Sequence, residues 1–326
     1  MTSAESAAPR DALSVGDAGE AAVLARIFPR LPAASAALLG PGDDAAIVAA
    51  PDGRFAVTTD MMIEGPDFRR AWSSFHDLGW KAAASNLSDI AAMGAVPTAL
   101  VVALALPGDT LVTDVEAFAD GFRDACAVLA PGCGIVGGDL STAPVVSIAV
   151  TAFGDLEGRE PVVRSGARPG HSLALAGAMG DAGAALRLLF SEAVDAHGLP
   201  DAARAAALGD RARAQLAPTP PISAGRIAAL AGASAMLDVS DGLALDASRI
   251  ARASGVRLEF SSAALGPDVP AALAGGEDHA LLATFAGEVP EPFRVIGRVV
   301  EGDGVALDGV AFEPRGWDPY AQPLMR

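Results

Sequence analysis

The sequence predicts a mixed α/β (α+β) protein of two domains. β-prone apolar runs alternate with helical patterns in both halves of the chain. A segment rich in Pro, Gly and Arg, residues 159–170, separates the halves, and a length of 326 residues suits two domains better than one. We therefore expect a flexible tail over residues 1–19, an N-terminal domain over 20–158 and a C-terminal domain over 159–326.

The first half begins with a short amphipathic helix at residues 21–28. Two β-prone runs, residues 45–50 and 54–60, flank the turn Pro51-Asp52-Gly53 and predict a hairpin. Ser73 or Ser74 can cap a helix over residues 77–93, which Gly94 ends. The elements that follow are a strand at 98–106, a helix at 113–129 and strands at 135–140 and 145–153.

The second half repeats the alternation of strands and helices. The predicted strands are residues 172–176, 235–239, 257–260, 280–285 and 293–299, and the predicted helices are 182–190, 222–231 and 243–253. An Ala- and Asp-rich segment between 190 and 222 shows no regular pattern.

Composition excludes several classes of protein. A hydrophobic fraction of 51% with 19% charged residues excludes general disorder. The net charge of −17 disfavours nucleic acid and anionic membranes as partners. The sequence shows neither a signal-peptide pattern nor an apolar run long enough to span a membrane. Cys126 and Cys133 do not make a disulfide framework, so we expect a cytoplasmic protein.

Five short segments carry aspartate beside glycine or hydroxyl residues. They are Gly42-Asp43-Asp44-Ala45-Ala46, Thr58-Thr59-Asp60, Asn86-Leu87-Ser88-Asp89, Gly137-Gly138-Asp139 and Asp238-Val239-Ser240-Asp241-Gly242. Carboxylates that a fold brings together repel each other unless a cation lies between them. Hard oxygen ligands suit Mg²⁺, which usually arrives with substrate phosphates. The pattern indicates a magnesium-dependent enzyme that acts on phosphates.

The individual aspartates differ in how strongly they indicate function. Asp89 lies in an apolar helix, where a buried carboxylate needs a partner or a metal. Asp238 lies within an apolar strand and cannot be a helix cap, whereas Asp241 could be only an N-cap. The Asp43-Asp44 pair could be only a surface turn. Asp139 follows two glycines, which allow a ligand to approach the backbone.

Four other patterns carry less weight or are absent. Residues 132–137 match the dinucleotide fingerprint, but they precede a β-prone run instead of opening a helix. The only lysine, Lys81, follows Trp80, so the chain has no Walker A loop. The glycine turn at 177–181 either cradles an anion at a helix N-terminus or is a plain tight turn. Zinc spacing is absent among the cysteines and the histidines His76, His171, His197 and His279.

Taken in order, the aspartate segments resemble the thiamine-monophosphate kinase family of the aminoimidazole-ribonucleotide synthetase-like ATP-binding superfamily. The resemblance runs from about Gly40 to Tyr320. Further matching motifs are Arg164-Ser-Gly-Ala-Arg-Pro-Gly, Gly275-Gly-Glu-Asp and Gly316-Trp-Asp. The resemblance implies that superfamily's two-domain fold, a homodimer, several Mg²⁺ ions, and ATP-dependent phosphorylation of thiamine monophosphate to thiamine diphosphate.

The resemblance also implies roles for individual residues. The metal ligands would be Asp44, Thr58, Thr59, Asp60, Asp89, Asp139, Asp238 and Asp241. The ATP contacts would be Gly138, Asp139, Arg164 and Ser240. The thiamine-phosphate contacts would be Asp67, Glu277 and Trp317. Of these residues, Asp89, Asp139 and Arg164 are the candidates for a direct part in catalysis.

The chemistry of such a reaction fits the residues present. The acceptor is a phosphate oxygen that is already anionic near neutral pH, because its second pKa is about 6. A general base is therefore unnecessary, which agrees with the lack of a recognisable catalytic His or Lys. Metals and Arg164 can hold the two polyanions for in-line transfer. Trp317 offers an aromatic face to a thiazolium or pyrimidine ring, or else packs on the core.

Two alternatives remain open on the sequence. One is a sister enzyme that acts on another substrate, such as aminoimidazole-ribonucleotide or selenophosphate synthetase, although the latter needs a reactive cysteine near the N-terminus. The other is a non-catalytic nucleotide-binding regulator, which would keep the glycines but could lose metal carboxylates.

Overall fold

The computed structural model describes residues 13–41 and 45–317, and the predicted Asp43 and Asp44 positions lie outside them. The α-helices of the described residues are α1 Val15–Ala18, α2 Glu20–Ile27, α3 Phe75–Ala92, α4 Val112–Leu129, α5 Asp181–Glu192, α6 Ala202–Leu208, α7 Asp210–Leu216, α8 Ile222–Leu230, α9 Leu243–Ser254 and α10 Val269–Ala274. The strands are β1 Ala37–Leu39, β2 Ile47–Val48, β3 Ala56–Ile63, β4 Val96–Leu106, β5 Gly134–Thr142, β6 Ser147–Asp155, β7 Ser172–Ala176, β8 Ala235–Val239, β9 Arg257–Phe260, β10 Ala280–Phe285, β11 Arg294–Val300, β12 Gly304–Leu307 and β13 Val310–Phe312. The predicted mixed α/β class is confirmed.

The first half contains a four-stranded sheet with the strand order β3-β6-β4-β5. β4 and β5 are parallel, and α4 makes the crossover between them, whereas β6 is antiparallel to both of its neighbours. Helix α3 packs against β3, β4 and β6, and α4 packs against α3. Because side chains alternate along a strand, one face of the sheet meets α3 and the other face carries exposed apolar residues such as Val57 and Met61.

The second half contains a seven-stranded sheet with the order β13-β12-β9-β11-β7-β10-β8. Its neighbouring strands are antiparallel, except that β12 runs parallel to β9. The largest group of buried apolar residues draws on both halves of the chain, because α3 packs against α8 and β8 as well as against its own sheet. The Trp80 indole N–H donates to the carbonyl of Pro218 at 2.7 Å across the same contact. Helix α3 is therefore the element around which the site is built.

Some local predictions were wrong. Residues 45–50 do not form a hairpin with residues 54–60: β2 pairs with β1, and β3 pairs with β6 over its whole length. The long non-local pairing offers β3 eight partners, more than a short local hairpin could supply. The segment between 190 and 222, which shows no pattern, contains α6 and α7, and the side chain of Asp201 caps α6 by accepting from the Arg204 N–H.

The chain near the predicted tail is folded where the structure describes it. Residues 15–18, which the sequence assigns to a flexible tail, form α1, and the Val15 N–H donates to the Thr110 carbonyl at 2.7 Å. The Ser14 side chain accepts from the Asp17 N–H and caps this helix. Among residues 13–41 and 45–317, no helix is both long and apolar enough to cross a membrane. The division between the two domains at 159–170 stays a prediction.

Candidate active site

Helix α3 presents a polar face inside an otherwise apolar contact. Lys81, Ser85 and Ser88 follow one another at spacings of four and three residues, so they share one side of the helix, and all three are buried. A capping box fixes the start of the helix, because Ser74 accepts from the Asp77 N–H while the Asp77 carboxylate accepts from the Ser74 N–H. Of the two predicted caps, Ser73 and Ser74, Ser74 is the one that the structure confirms.

Carboxylates from separate parts of the chain approach this helix. Asp89 accepts from the Thr58 hydroxyl on β3 at 2.7 Å, and Asp238 on β8 accepts from the Ser88 hydroxyl at 3.1 Å. Asp60 follows Thr58 by two residues on β3 and therefore shares its face of the sheet. The structure thus brings together Thr58, Asp60, Asp89 and Asp238, which the sequence proposes as metal ligands.

The carboxylates affect one another's ionisation. Burial raises the pKa of Asp89 to about 7, and the charges of Asp238 and Asp60 contribute in the same direction. Burial also raises the pKa of Asp60, and the charges of Asp238 and Asp241 add to that effect. A cation between such groups would remove the mutual repulsion. We refer to Asp60, Asp89 and Asp238 as the aspartate cluster.

The donor set of the aspartate cluster fits Mg²⁺ in chemistry. Within residues 13–41 and 45–317, no group of three or more His, Cys, Asp or Glu side chains is arranged so that it could hold a metal ion unaided. Mg²⁺ usually uses one or two protein carboxylates and completes its shell with water and substrate phosphates. The hard oxygens of the aspartate cluster match that requirement.

Asp241 is not an N-cap. Gly242 occupies the N-cap position of α9, and the Asp241 carboxylate instead pairs with Arg249 at 2.6 Å. The buried Asp246 accepts from the backbone N–H groups of Asp241 and Gly242, and burial raises the Asp246 pKa to about 7. The N-cap alternative for Asp241 is therefore wrong. The charge of Asp241 contributes to the raised pKa of Asp60.

A loop at residues 277–279 lies beside the aspartate cluster. Glu277 and His279 have φ values of +64° and +52°, which non-glycine residues seldom adopt. Between them, the Asp278 carboxylate accepts from the backbone N–H groups of Gly180 at 2.5 Å and Ala182 at 2.8 Å. The glycine turn at 177–181 thus does meet an anion at a helix N-terminus, but that anion is the chain's own Asp278.

His279 joins this loop to both β8 and α3. Its Nε2 lies 3.1 Å from the Ser85 hydroxyl, and its Nδ1 lies 3.2 Å from the Asp238 carboxylate and 3.3 Å from the Ser88 hydroxyl. The imidazole is 5% exposed, so each polar edge depends on these partners. His279 therefore fixes the side chain of Asp238 within the aspartate cluster.

Glu277, one of the proposed acceptor-binding residues, is paired with Lys81. The Lys81 ammonium lies 2.8 Å from Glu277 Oε1, and the Gln215 amide donates to Glu277 Oε2. Burial alone would raise the Glu277 pKa, but the charge of Lys81 and these hydrogen bonds outweigh it and hold that pKa below its usual value. Burial raises the pKa of Asp67, and the Glu277 charge adds to this rise. The Ile63 N–H donates to the Asp67 carboxylate at 2.7 Å and orients it.

Trp317 and Glu277 both bond to the segment Ser240-Asp241, between β8 and α9. The Trp317 N–H donates to the Asp241 carbonyl at 2.8 Å, and the Glu277 N–H donates to the neighbouring Ser240 carbonyl at 2.8 Å. The Trp317 side chain is 42% exposed. Trp317 is thus only partly packed against the protein, and its role as an acceptor contact stays a prediction.

Within one chain, several proposed site residues lie away from the aspartate cluster. Thr59 pairs with Thr151 on the outer face of the four-stranded sheet, opposite α3. Gly138 and Asp139 lie on β5, three strand spacings or about 14 Å from β3. The Arg164 carbonyl accepts from Ser254 at the C-terminal end of α9, whereas Asp241 lies at its N-terminal end.

Sequence reasoning missed Lys81, Ser88, Gln215 and His279. Lys81 and Ser88 could have been found from the helical face that they share with Ser85, because polar residues at that spacing inside an apolar helix need a common partner. Gln215 carried no usable signal, since α7 was not predicted. His279 stands directly after the Gly275-Gly-Glu-Asp motif and could have been grouped with it.

Comparison with known proteins places this arrangement in the AIR synthase-like class of folds. The family described as AIR synthase related protein, N-terminal domain, matches residues 42–156, which contain the four-stranded sheet and α3. In the solved structure of thiamine-monophosphate kinase from Stenotrophomonas maltophilia K279a, the match covers 89% of this chain and 95% of that one, with a TM-score of 0.74 and 33% identity.

Relatives that match most of this chain identify the family within that class of folds. The thiamine-monophosphate kinase of Mycobacterium tuberculosis (strain H37Rv) is 41% identical over 340 residues, covering 99% of this chain and 98% of that protein. A solved structure described as AaThiL complexed with AMPPCP and TMP has a TM-score of 0.71 and 34% identity, covering 84% of this chain and 90% of that one. The chain belongs to the thiamine-monophosphate kinase family, and it is a phosphotransferase.

Proposed function

We propose that the protein transfers the γ-phosphoryl group of ATP to thiamine monophosphate and forms thiamine diphosphate. The observation that carries this proposal is the placement of two chemically different sites along α3. Asp89, in the aspartate cluster, and Lys81, which pairs with Glu277, are eight residues or about 12 Å apart along the helix. Phosphates suit the first site once metal is bound, and a cationic, nitrogen-rich group suits the carboxylates at the second. The relative solved with AMPPCP and TMP supports this assignment.

We propose that Asp60, Asp89 and Asp238 hold Mg²⁺, with Thr58, Asp241 and Asp44 as further ligands. When bound, the metal would neutralise charge on the phosphates. Asp241 is also held by Arg249, so this carboxylate is already oriented before metal binds. His279 and Ser88 fix the orientation of Asp238 in the same way.

The residues of this chain act by positioning in the proposed reaction. The acceptor phosphate oxygen is already ionised near neutral pH, so no side chain needs to remove a proton from it. Asp67 and Glu277 would face the cationic part of thiamine monophosphate, and Trp317 would stack on one of its rings. Ser240, whose carbonyl holds the Glu277 N–H, would contact ATP from the segment between the two sites.

We also propose a homodimer that forms through the outer face of the four-stranded sheet. Val57 is 57% exposed and Met61 is 62% exposed on this face, although both are apolar. Thr59 and Asp139 lie away from the aspartate cluster of their own chain. A second copy on the outer face would allow Thr59, Gly138 and Asp139 to contribute to a site shared between protomers. Arg164 remains a proposed ATP contact.

A reducing compartment is consistent with the two cysteines. Cys126 and Cys133 are buried and free. We therefore propose that the enzyme works in the cytoplasm.

The experiment that tests the function is a substrate comparison with the full chain. ATP turnover would be measured with Mg²⁺ and either thiamine monophosphate, thiamine or an aminoimidazole-ribonucleotide precursor, and thiamine diphosphate would be detected directly. Of the three acceptors, we expect only thiamine monophosphate to support ATP turnover. Turnover only with the aminoimidazole precursor would identify a sister enzyme, and ATP binding without turnover on any acceptor would identify a regulator.

A further inference from the structure

Each residue of the loop at 277–279 is held by contacts to other elements of the fold. Lys81 of α3 holds Glu277, the N-terminal turn of α5 holds Asp278, and His279 binds Ser85 and Asp238. Two of the three residues have the left-handed backbone conformation. Such a conformation persists only when its surroundings fix it, and it is common at functional sites. The contacts therefore serve to set the position of the loop.

Lys81 is an unusual residue for its place. It is the only lysine of the chain, so arginine supplies every other positively charged side chain at neutral pH, apart from any protonated histidine. It is 5% exposed, and a buried ammonium is costly unless it is paired. Its partner Glu277 keeps a side-chain exposure of 35%. The buried cation thus supports a carboxylate that remains accessible to a ligand.

Gln215 holds the second oxygen of the same carboxylate. Its Nε2 donates to Glu277 Oε2, and the side chain is 5% exposed. Its Oε1 has no hydrogen-bond partner among the described residues. A buried amide that leaves its oxygen unpaired is costly, so apolar packing alone does not account for a glutamine here. Glu277 is the contact that explains it.

We infer that Lys81 and Gln215 are positioning residues for acceptor recognition, which together fix both oxygens of Glu277 toward the cationic, nitrogen-rich end of the acceptor. The inference rests on the proposed function, because it takes Glu277 as an acceptor contact. Lys81 supplies a compact charge with several donors to one oxygen, and Gln215 supplies a neutral donor to the other. Neither residue needs to touch the acceptor.

The first test separates acceptor binding from ATP binding. Lys81→Met removes the charge at similar volume, and Gln215→Met removes the amide while the Lys81–Glu277 pair stays. Because a hydrogen bond to a charged group is lost in each, we expect the KM for thiamine monophosphate to rise about tenfold or more. The Kd for ATP with Mg²⁺, measured by calorimetry, should stay unchanged. Lys81→Arg, which keeps the charge, should recover part of the loss.

A control variant checks that loss of a positive charge has no general effect. Arg298 pairs with Glu259 at 2.8 Å and is largely exposed on β11, away from α3. Arg298→Met should leave the KM for thiamine monophosphate at the wild-type value. A rise equal to that of Lys81→Met would overturn the inference, since long-range charge would then explain both.

A double-variant comparison tests whether Lys81 acts through Glu277. It also keeps the inference testable if Lys81→Met alone fails to fold. In the Glu277→Gln variant the partner of Lys81 is neutral, and adding Lys81→Met makes both members of the Lys81–Glu277 pair neutral. The added change should therefore raise the KM for thiamine monophosphate by less than about a further twofold. An undiminished effect in that background would overturn the inference. Unchanged KM in both Gln215→Met and Lys81→Met, with a lower Tm, would show that the residues serve folding alone.

Wild-type turnover distinguishes this inference from the proposed function. If the wild-type chain does not phosphorylate thiamine monophosphate, the proposed function fails and the inference fails with it. If the wild type is active and the variants keep its KM, only the positioning role is refuted.

Discussion

Gly79 and Gly121 form a reciprocal contact at the crossing of α3 and α4. A β-carbon on Gly79 would overlap the carbonyl oxygen of Phe118, and a β-carbon on Gly121 would overlap the carbonyl oxygen of His76. Each glycine thus lets the backbone of the other helix approach. Because α3 also carries Lys81 and Asp89, this contact sets where both parts of the site lie.

Gly121→Ala should destabilise the protein. Alanine favours a helix over glycine by about 1 kcal/mol, but overpacking against a rigid backbone costs about 1–3 kcal/mol and occasionally more. Because the clash is with backbone, we expect a net loss of stability and a Tm several degrees lower by calorimetry. Gly287→Ala is the control, since a β-carbon there meets nothing within 4 Å. Equal Tm values for the two variants would contradict the close crossing.

Asp89→Asn should separate catalysis from acceptor binding. The change removes one charge from the aspartate cluster, so we expect the affinity for ATP with Mg²⁺ and kcat to fall at least about tenfold. Binding of thiamine monophosphate, measured without ATP, should persist. Glu288→Gln removes an exposed carboxylate elsewhere and should leave both values unchanged. Wild-type kcat in Asp89→Asn would exclude Asp89 from the metal site.

Removal of metal should abolish ATP binding. The aspartates and the phosphates are all negative, so without a cation they repel each other. Calorimetry with Mg²⁺ and with excess EDTA measures the difference directly. An ATP affinity that is the same in EDTA would refute the proposed metal site.

Trp317→Ala should weaken acceptor binding without unfolding the protein. Stacking of an aromatic ring on a cation contributes about 0.5–2 kcal/mol, so the KM for thiamine monophosphate should rise roughly two- to thirtyfold. The backbone bond from Trp317 to Asp241 survives the change, and the side chain is 42% exposed, so Tm and ATP affinity should barely change.

Trp72 provides the contrast for that prediction. Trp72 is 8% exposed, and its indole N–H donates to the Ala193 carbonyl at 2.8 Å. Trp72→Ala should therefore lower stability by about 3–5 kcal/mol. If Trp317→Ala instead lowers Tm as Trp72→Ala does and leaves KM untouched, the acceptor site is misplaced.

Met61→Asp should disrupt the proposed dimer. It places a carboxylate on the outer face of the four-stranded sheet, where a second copy would bring the same change close by. Light scattering at micromolar protein should show a dimer for the wild type and a monomer for Met61→Asp. Leu230→Asp alters an equally exposed apolar residue on α8 and should remain a dimer. A monomeric wild type would refute the proposal.

Regular elements with strong local signals could be predicted from the sequence. The predicted strands at 172–176, 235–239, 257–260 and 280–285 match β7, β8, β9 and β10 to the residue, because three of them are short, mostly apolar runs and β9 alternates charged and apolar side chains. Helix α3 carries its own start and stop in Ser74 and Gly94. The strand pairing of β3 depends on β6, more than eighty residues later, and local signals could not show it.

The candidate site was predictable to the extent that its chemistry lies in short motifs. Asp89 and Asp238 stand out because a carboxylate in an apolar element needs a partner, and the structure places both at one side of α3. The partners of Glu277 were not predictable. Lys81 lies almost two hundred residues earlier, and Gln215 lies on a helix without a sequence signal. Only the packing of α3 between the two sheets brings them together.

The single lysine gives the protein a built-in reporter. Acylating reagents attack neutral, solvent-accessible amines, and the ammonium of Lys81 is enclosed and tied to Glu277. Modification at Lys81 can proceed only when α3 and the loop at 277–279 separate. The rate at which one acyl group appears on Lys81, followed by mass spectrometry, thus measures how often the acceptor site opens, and a bound acceptor that holds the loop in place should slow it.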